Sequence, residues 1–266
     1  MLNLALYRRE IKSLWKMLVV FAGLLTLYVT MIITMYDSEM LDALSIMAEM
    51  MPGLFEAMGF YMGDMSFIGY LSAYLYGFIL LVVPMIFSIL CGHTVIAQHV
   101  DKGSMVSLLA APVKRHAIAF TQMKVLATGI IALVLYVTIL QITVSHLSFP
   151  GELDIARLLM MNVGLLCLHF FIGGVCFFCS CLFSEAKRSL SFGAGIPISM
   201  FALQMLANVG GNAERVRHLT FFTLYSPTGL ADFESNAILG VLILFTGALI
   251  LFTGAIAIFS KKDLHI

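Results

Sequence analysis

Hydrophobic residues in this chain come in long unbroken runs, and charged residues fall only between them. Six windows contain no Asp, Glu, Lys or Arg: Met17 to Tyr36, Met65 to Val100, Val125 to Gly151, Leu158 to Ser184, Ser189 to Ala213 and Ser235 to Ser260. A helix needs about 20 apolar residues, each rising about 1.5 Å, to cross a hydrocarbon core about 30 Å thick. The pattern therefore predicts an all-α integral membrane fold. Its six transmembrane helices are expected over residues 17–36, 70–97, 125–147, 158–183, 189–212 and 236–260, as one domain covering 1–266.

The connections carry patterns of their own. Leu4, Tyr7, Ile11, Leu14, Trp15 and Leu18 share one side of a helical wheel, and Arg9, Lys12 and Lys16 lie on another. This predicts an amphipathic interfacial helix over 2–16, with cations toward headgroups; a basic flank of the first span is the plainer alternative. The basic residues precede a long apolar run with no small-residue cleavage site, so the run reads as a retained span and not a signal peptide. Between Asp37 and Gly69, acids at Asp42, Glu49 and Glu56 alternate with leucines and methionines, and Pro52-Gly53 should divide two short amphipathic helices. Between the second and third spans, Gly103-Ser104 forms a turn and N-cap, and Pro112 ends the short helix that follows. Pro84 and Pro197 fall inside spans, where a neighbouring helix must satisfy the carbonyl that each leaves free. Ser191, Gly193 and Gly195 give the fifth span a face of small side chains for close helix approach.

Composition agrees with the pattern: 61% of residues are hydrophobic, 11% are charged and the mean hydropathy is +1.01. A soluble domain carries about a quarter charged residues. Net charge is zero, yet the charges are sorted. With the N-terminus inside, twelve of the fifteen cations lie in inner segments, leaving Arg157, Arg215 and Arg217 outside. Eleven of the fifteen acids lie outside. The positive-inside rule thus predicts both termini in the cytoplasm. The acidity of the first outer loop could attract cationic substrates, although exclusion of cations from outer loops produces the same composition.

Candidate chemistry is sparse. Cys176-x-x-Cys179-x-Cys181, among five cysteines and eighteen methionines, invites a metal reading. Cys181 points away from the face shared by the other two, and neither a second pair nor a histidine stands at ligand spacing, so packing between helices is favoured and no metal or cofactor is expected. All five cysteines fall in apolar runs, which argues against a disulfide framework. His93 and His169 are solitary intramembrane imidazoles, suited either to bonding a neighbouring helix or to touching substrate. The sequence has no G-x-x-x-x-G-K-[ST], no H-E-x-x-H and no paired carboxylates in a span, so an enzyme reading has little support. A coupled carrier normally needs ionisable groups near midplane. Uphill movement by this chain would need energy from another one.

The order of these elements resembles ABC-2 type permeases, the membrane subunits of ATP-binding-cassette exporters. The resemblance spans the basic leading helix, the six apolar runs, Met51-Pro52-Gly53-Leu54-Phe55, Ser226-Pro227 and the Lys261-Lys262-Asp263-Leu264 tail. Its most specific part is Asp101-Lys102-Gly103-Ser104 through Leu108-Leu109-Ala110-Ala111-Pro112-Val113-Lys114-Arg115, similar to the family's acidic-Gly-Thr, Leu-Leu and Pro-Val-x-Arg segment. It implies a bacterial plasma-membrane subunit that contacts the bilayer, a separate ABC ATPase and a second permease copy or paralogue, with no nucleic-acid partner. It also implies that residues 98–112 form a coupling helix on the ATPase, with Gln98, His99, Asp101, Gly103, Ser104, Leu108 and Leu109 at the contact. The two permease halves would meet near their first and fifth helices, with substrate passing along the seam. Gln98 and His99 stand where the family often has glutamates, and Ser104 replaces its usual threonine. A non-transporting membrane scaffold or maturation factor of the same fold, and a metal-handling permease, are the alternatives. Lipid, peptide, antibiotic and ion exporters share these features.

Overall fold

A computed structural model describes residues 3–58, 66–96, 115–183 and 185–261. All regular structure among them is helical. Six helices are long and apolar enough to cross a membrane: Leu4–Thr34, Phe67–Val95, Arg115–Ser148, Ile155–Leu182, Ala186–Asn208 and Ser235–Lys261. They are called spans 1 to 6 below. The connections after spans 1, 3 and 5 lie at one end of the bundle, opposite the N-terminus.

Span 1 is one continuous helix, with no break between the segment expected at the interface and the membrane run. Asn3 caps it by accepting from the Leu6 N–H at 3.1 Å. Thirty-one residues at about 1.5 Å each exceed the hydrocarbon thickness, so the basic turns are an extension of the span. The expected separate helix over 2–16 is, among the described residues, that extension. Span 3 also starts earlier than its charge-free window, since Lys124 lies on its exposed side. The acidic connection after span 1 does contain two helices, Ser38–Met50 and Pro52–Ala57, with Pro52 opening the second. Proline fits a first turn because its missing N–H has no helical partner there anyway.

Spans 2 and 4 form the centre, with 67% of each apolar window buried within the chain. Span 4 packs most heavily on span 6 and also meets spans 2, 3 and 5, while span 1 lies along span 3. Tyr7 bonds Thr128 at 2.9 Å and Thr26 bonds Tyr136 at 2.6 Å across the pair formed by spans 1 and 3. Spans 2 and 4 approach so closely that a Cβ on Gly92 would stand 2.6 Å from that of Cys176. Real Cβ atoms do not tolerate that distance. Gly240 of span 6 is pressed in the same way against the Leu224 backbone carbonyl, which seats the segment between spans 5 and 6 on the bundle.

Span 4 also explains how the two intramembrane prolines are accommodated. Pro84 has no N–H for the Leu80 carbonyl, and His169 Nε2–H donates to that oxygen at 2.9 Å. A carbonyl can only accept, so the contact fixes the imidazole's proton on Nε2. Pro197 leaves the Gly193 carbonyl free in the same way, and the Cys176 thiol donates to it at 3.1 Å. One turn on, Ser180 Oγ donates to the Gly92 carbonyl at 2.8 Å near the end of span 2. Asn162, His169 and Cys176 are spaced by seven, so they form one polar line along the inward face of span 4. On that line His169 and Cys176 make the carbonyl repairs that water would supply outside a membrane.

Candidate functional site

The candidate site among the described residues is a cavity of about 560 Å³ at the end of the bundle opposite the N-terminus. Span 2 supplies its inner wall from Ile68 to Leu81, and Phe201 to Asn208 of span 5 faces it. The segment between spans 5 and 6 closes it through Phe222, Tyr225 and the short helix Pro227–Ala231. Thirteen residues separate Ile68 from Leu81, or about 20 Å of helix, so the cavity reaches the middle of span 2.

Local sequence sets this wall. Span 2 passes through a π-helical segment, Leu75–Ile79, in which the Leu80 N–H reaches back to the Leu75 carbonyl. Such segments are uncommon and gather at functional sites. Here it presents Tyr76 and Gly77 to the cavity. Behind the wall, Gln141 Nε2 donates to the Tyr76 hydroxyl at 3.0 Å, and Asn162 Nδ2 donates to Gln141 Oε1 at 2.9 Å. This buried chain ties spans 2, 3 and 4 together. Tyr225 adds a contact from the other side, its hydroxyl donating to the Met161 carbonyl at 3.4 Å. Burial, with Tyr76 close by, raises the Tyr225 hydroxyl well above its ordinary pKa, so it is a neutral donor at physiological pH. At the mouth, the Arg157 guanidinium joins Asp154 at 3.3 Å and Asp232 at 3.4 Å. The lining thus mixes aromatic and aliphatic side chains with polar groups that gather toward the mouth, among them Arg157, Arg217 and Asp232, and the volume suits a small organic molecule.

The coupling residues expected from sequence, Gln98, His99, Asp101, Gly103, Ser104, Leu108 and Leu109, lie outside the described residues. His93 is half-buried near the other end of span 2. His169 is wholly buried and does not line the cavity; it bonds a neighbouring helix. The five cysteines are all buried thiols. Among the described residues, no cluster of three His, Cys, Asp or Glu side chains is arranged to hold a metal. Cys176 is occupied instead with the carbonyl freed by Pro197. We expect Cys176→Ser to keep that bond and Cys176→Ala to unfold about 1 kcal/mol more easily than the serine variant. Thermal unfolding in detergent measures the difference.

Sequence reasoning tracked charges and overlooked Tyr76, Gln141, Asn162 and Gln204. For the last three the available signal was the amide side chain inside a charge-free window, since an amide in hydrocarbon needs a partner as surely as a charge does. Comparison with known proteins adds nothing to this geometry. No family model, curated protein or solved structure matches the chain.

Proposed function

We propose that this chain is the membrane subunit of an ATP-driven ABC exporter of the ABC-2 type, with ATP hydrolysed by a separate subunit. The observation that carries the reading is the cavity, which penetrates from one end of the bundle to the middle of span 2 and whose lining ends at Leu81. A permease open to one side of a membrane has this form. The absence of acids and cations from the six sequence windows supports an external energy source, because proton and sodium coupling draw on ionisable groups near midplane. Spans 1 and 5 bury only 17% of their apolar windows within the chain, and both flank span 2. This suits a second permease copy or paralogue meeting the chain along those helices in a bacterial plasma membrane.

The cation distribution supports a topology with both termini in the cytoplasm and the cavity mouth outside. Single cysteines in a cysteine-free background are expected to react with an impermeant reagent in intact cells at position 45. Positions 105, 187 and 262 are expected to react only after lysis. Outside labelling of position 105 would reverse the topology.

The function itself is tested by purifying the tagged chain from its native membrane. The expected result is a stoichiometric ABC ATPase whose ATP hydrolysis drives solute movement in liposomes. A chain that purifies with an ATPase and moves nothing would be the scaffold or maturation factor.

A further inference from the structure

We infer that the cavity binds an anionic amphiphile, with its negative group at the mouth and its apolar body against span 2. As a statement about the exported substrate this rests on the function proposed above, but as a statement about binding it does not.

The wall itself is unusual for a membrane helix. Gly69, Ala73 and Gly77 recur every four residues along span 2, and all three line the cavity. Small residues at that spacing normally admit a neighbouring helix. Here they border a space, and around them span 2 contributes the apolar Ile68 and Leu81 and the ring of Tyr76. Ser72, between two of them, is 2% exposed and also lines the cavity. The lining also carries Gln204, Asn208 and Thr223. A slot of this mixed kind fits an apolar chain carrying a polar atom, such as an ester or hydroxyl oxygen, along its length.

Charge selects the head group. Eleven acids and only three cations belong to the segments on the cavity's side of the bundle. Of those, two cations, Arg157 and Arg217, line the cavity, against a single acid, Asp232. The local sign is therefore the reverse of the surrounding face. Asp232 and Asp154 already occupy Arg157. Arg217 is exposed and forms no ion pair with a carboxylate among the described residues. It is available to an anionic head group, whereas a cationic amphiphile would meet Arg217 first. The deep half, around Ala73, Gly77 and Leu81, has no counter-ion and would reject a charge of either sign.

The test uses the full chain in phosphatidylcholine nanodiscs, without any ATPase, and three probes with the same sixteen-carbon diazirine chain (about the length of the slot). One is a carboxylate, one an alcohol and one an amine. Photolabelled residues are mapped by peptide mass spectrometry. The carboxylate is expected to label residues 68–81 and 201–208 more strongly than the alcohol, and the amine to label them least. Arg217→Gln should lower carboxylate labelling about threefold, the scale of an exposed ion pair, and leave the alcohol unchanged. Gly77→Leu should abolish labelling by all three by filling the slot. Because Arg217 is exposed, its variant stays informative even if Gly77→Leu fails to fold. Equal labelling by the three probes, indifference to Arg217→Gln, or labelling confined to lipid-facing residues of spans 1 and 6 would overturn the inference. Adding phosphatidylglycerol to the disc separates sources: protection by it identifies a bilayer lipid as the occupant, and protection only by free palmitate identifies a soluble amphiphile. Both are the predicted ligand class. Failure to capture an ATPase would sink the exporter and leave these results standing.

Discussion

Replacing His169 with leucine is expected to lower the stability of the protein by about 1–3 kcal/mol, the cost of a buried polar group left without its partner. The oxygen in question is the Leu80 carbonyl, which Pro84 deprives of its helical donor and His169 supplies from span 4. Leucine fills the space without donating, so the loss reports the hydrogen bond more than the packing. A second substitution makes the test specific. Pro84→Ala restores an N–H at position 84, within the helix and aimed at the same carbonyl. The double variant His169→Leu/Pro84→Ala should therefore be more stable than the sum of the single changes predicts. Unfolding curves for the four proteins in detergent measure the coupling. Additive effects would mean that the imidazole is held by packing alone. The result also bears on the cavity, because Leu80 adjoins Leu81, which stands at the deep end of its wall. Loosening span 2 there should weaken ligand binding as well as stability.

The second large effect is expected in the segment between spans 2 and 3. On the coupling-helix reading that the family resemblance implies, Leu108→Ala and Leu109→Ala together should release the ATPase subunit while leaving membrane insertion intact. Each fully buried leucine contributes roughly 1.5–3 kcal/mol, so the pair can shift affinity by several orders of magnitude. Gly103→Val should act in the same direction if the turn before Ser104 uses positive φ, which a β-branched residue resists. A coupling element has to be short and stiff, or the ATPase movement would be absorbed before reaching spans 2 and 3. Copurification and ATP-dependent transport are the readouts. Unchanged retention of the ATPase in both variants would remove residues 98–112 from the contact.

The six spans were legible because the bilayer acts on residues one at a time. A window of about 20 positions without charge is favourable in hydrocarbon whatever its neighbours are. The sequence also showed that Pro84 and Pro197 would leave carbonyls needing help, since the missing N–H belongs to proline itself. It could not say where help comes from. His169 is 89 positions from Leu80, and Cys176 reaches Gly193 across a helix turnaround. In water, burial would have separated core faces from solvent faces and narrowed those choices. In a membrane, lipid and protein neighbours are equally apolar, so hydropathy does not reveal which side of a helix meets another helix. The cavity was hidden for the same reason. Gly69, Ala73 and Gly77 have the spacing of a helix-packing stripe, and only the tertiary arrangement of spans 2 and 5 leaves that stripe facing open space.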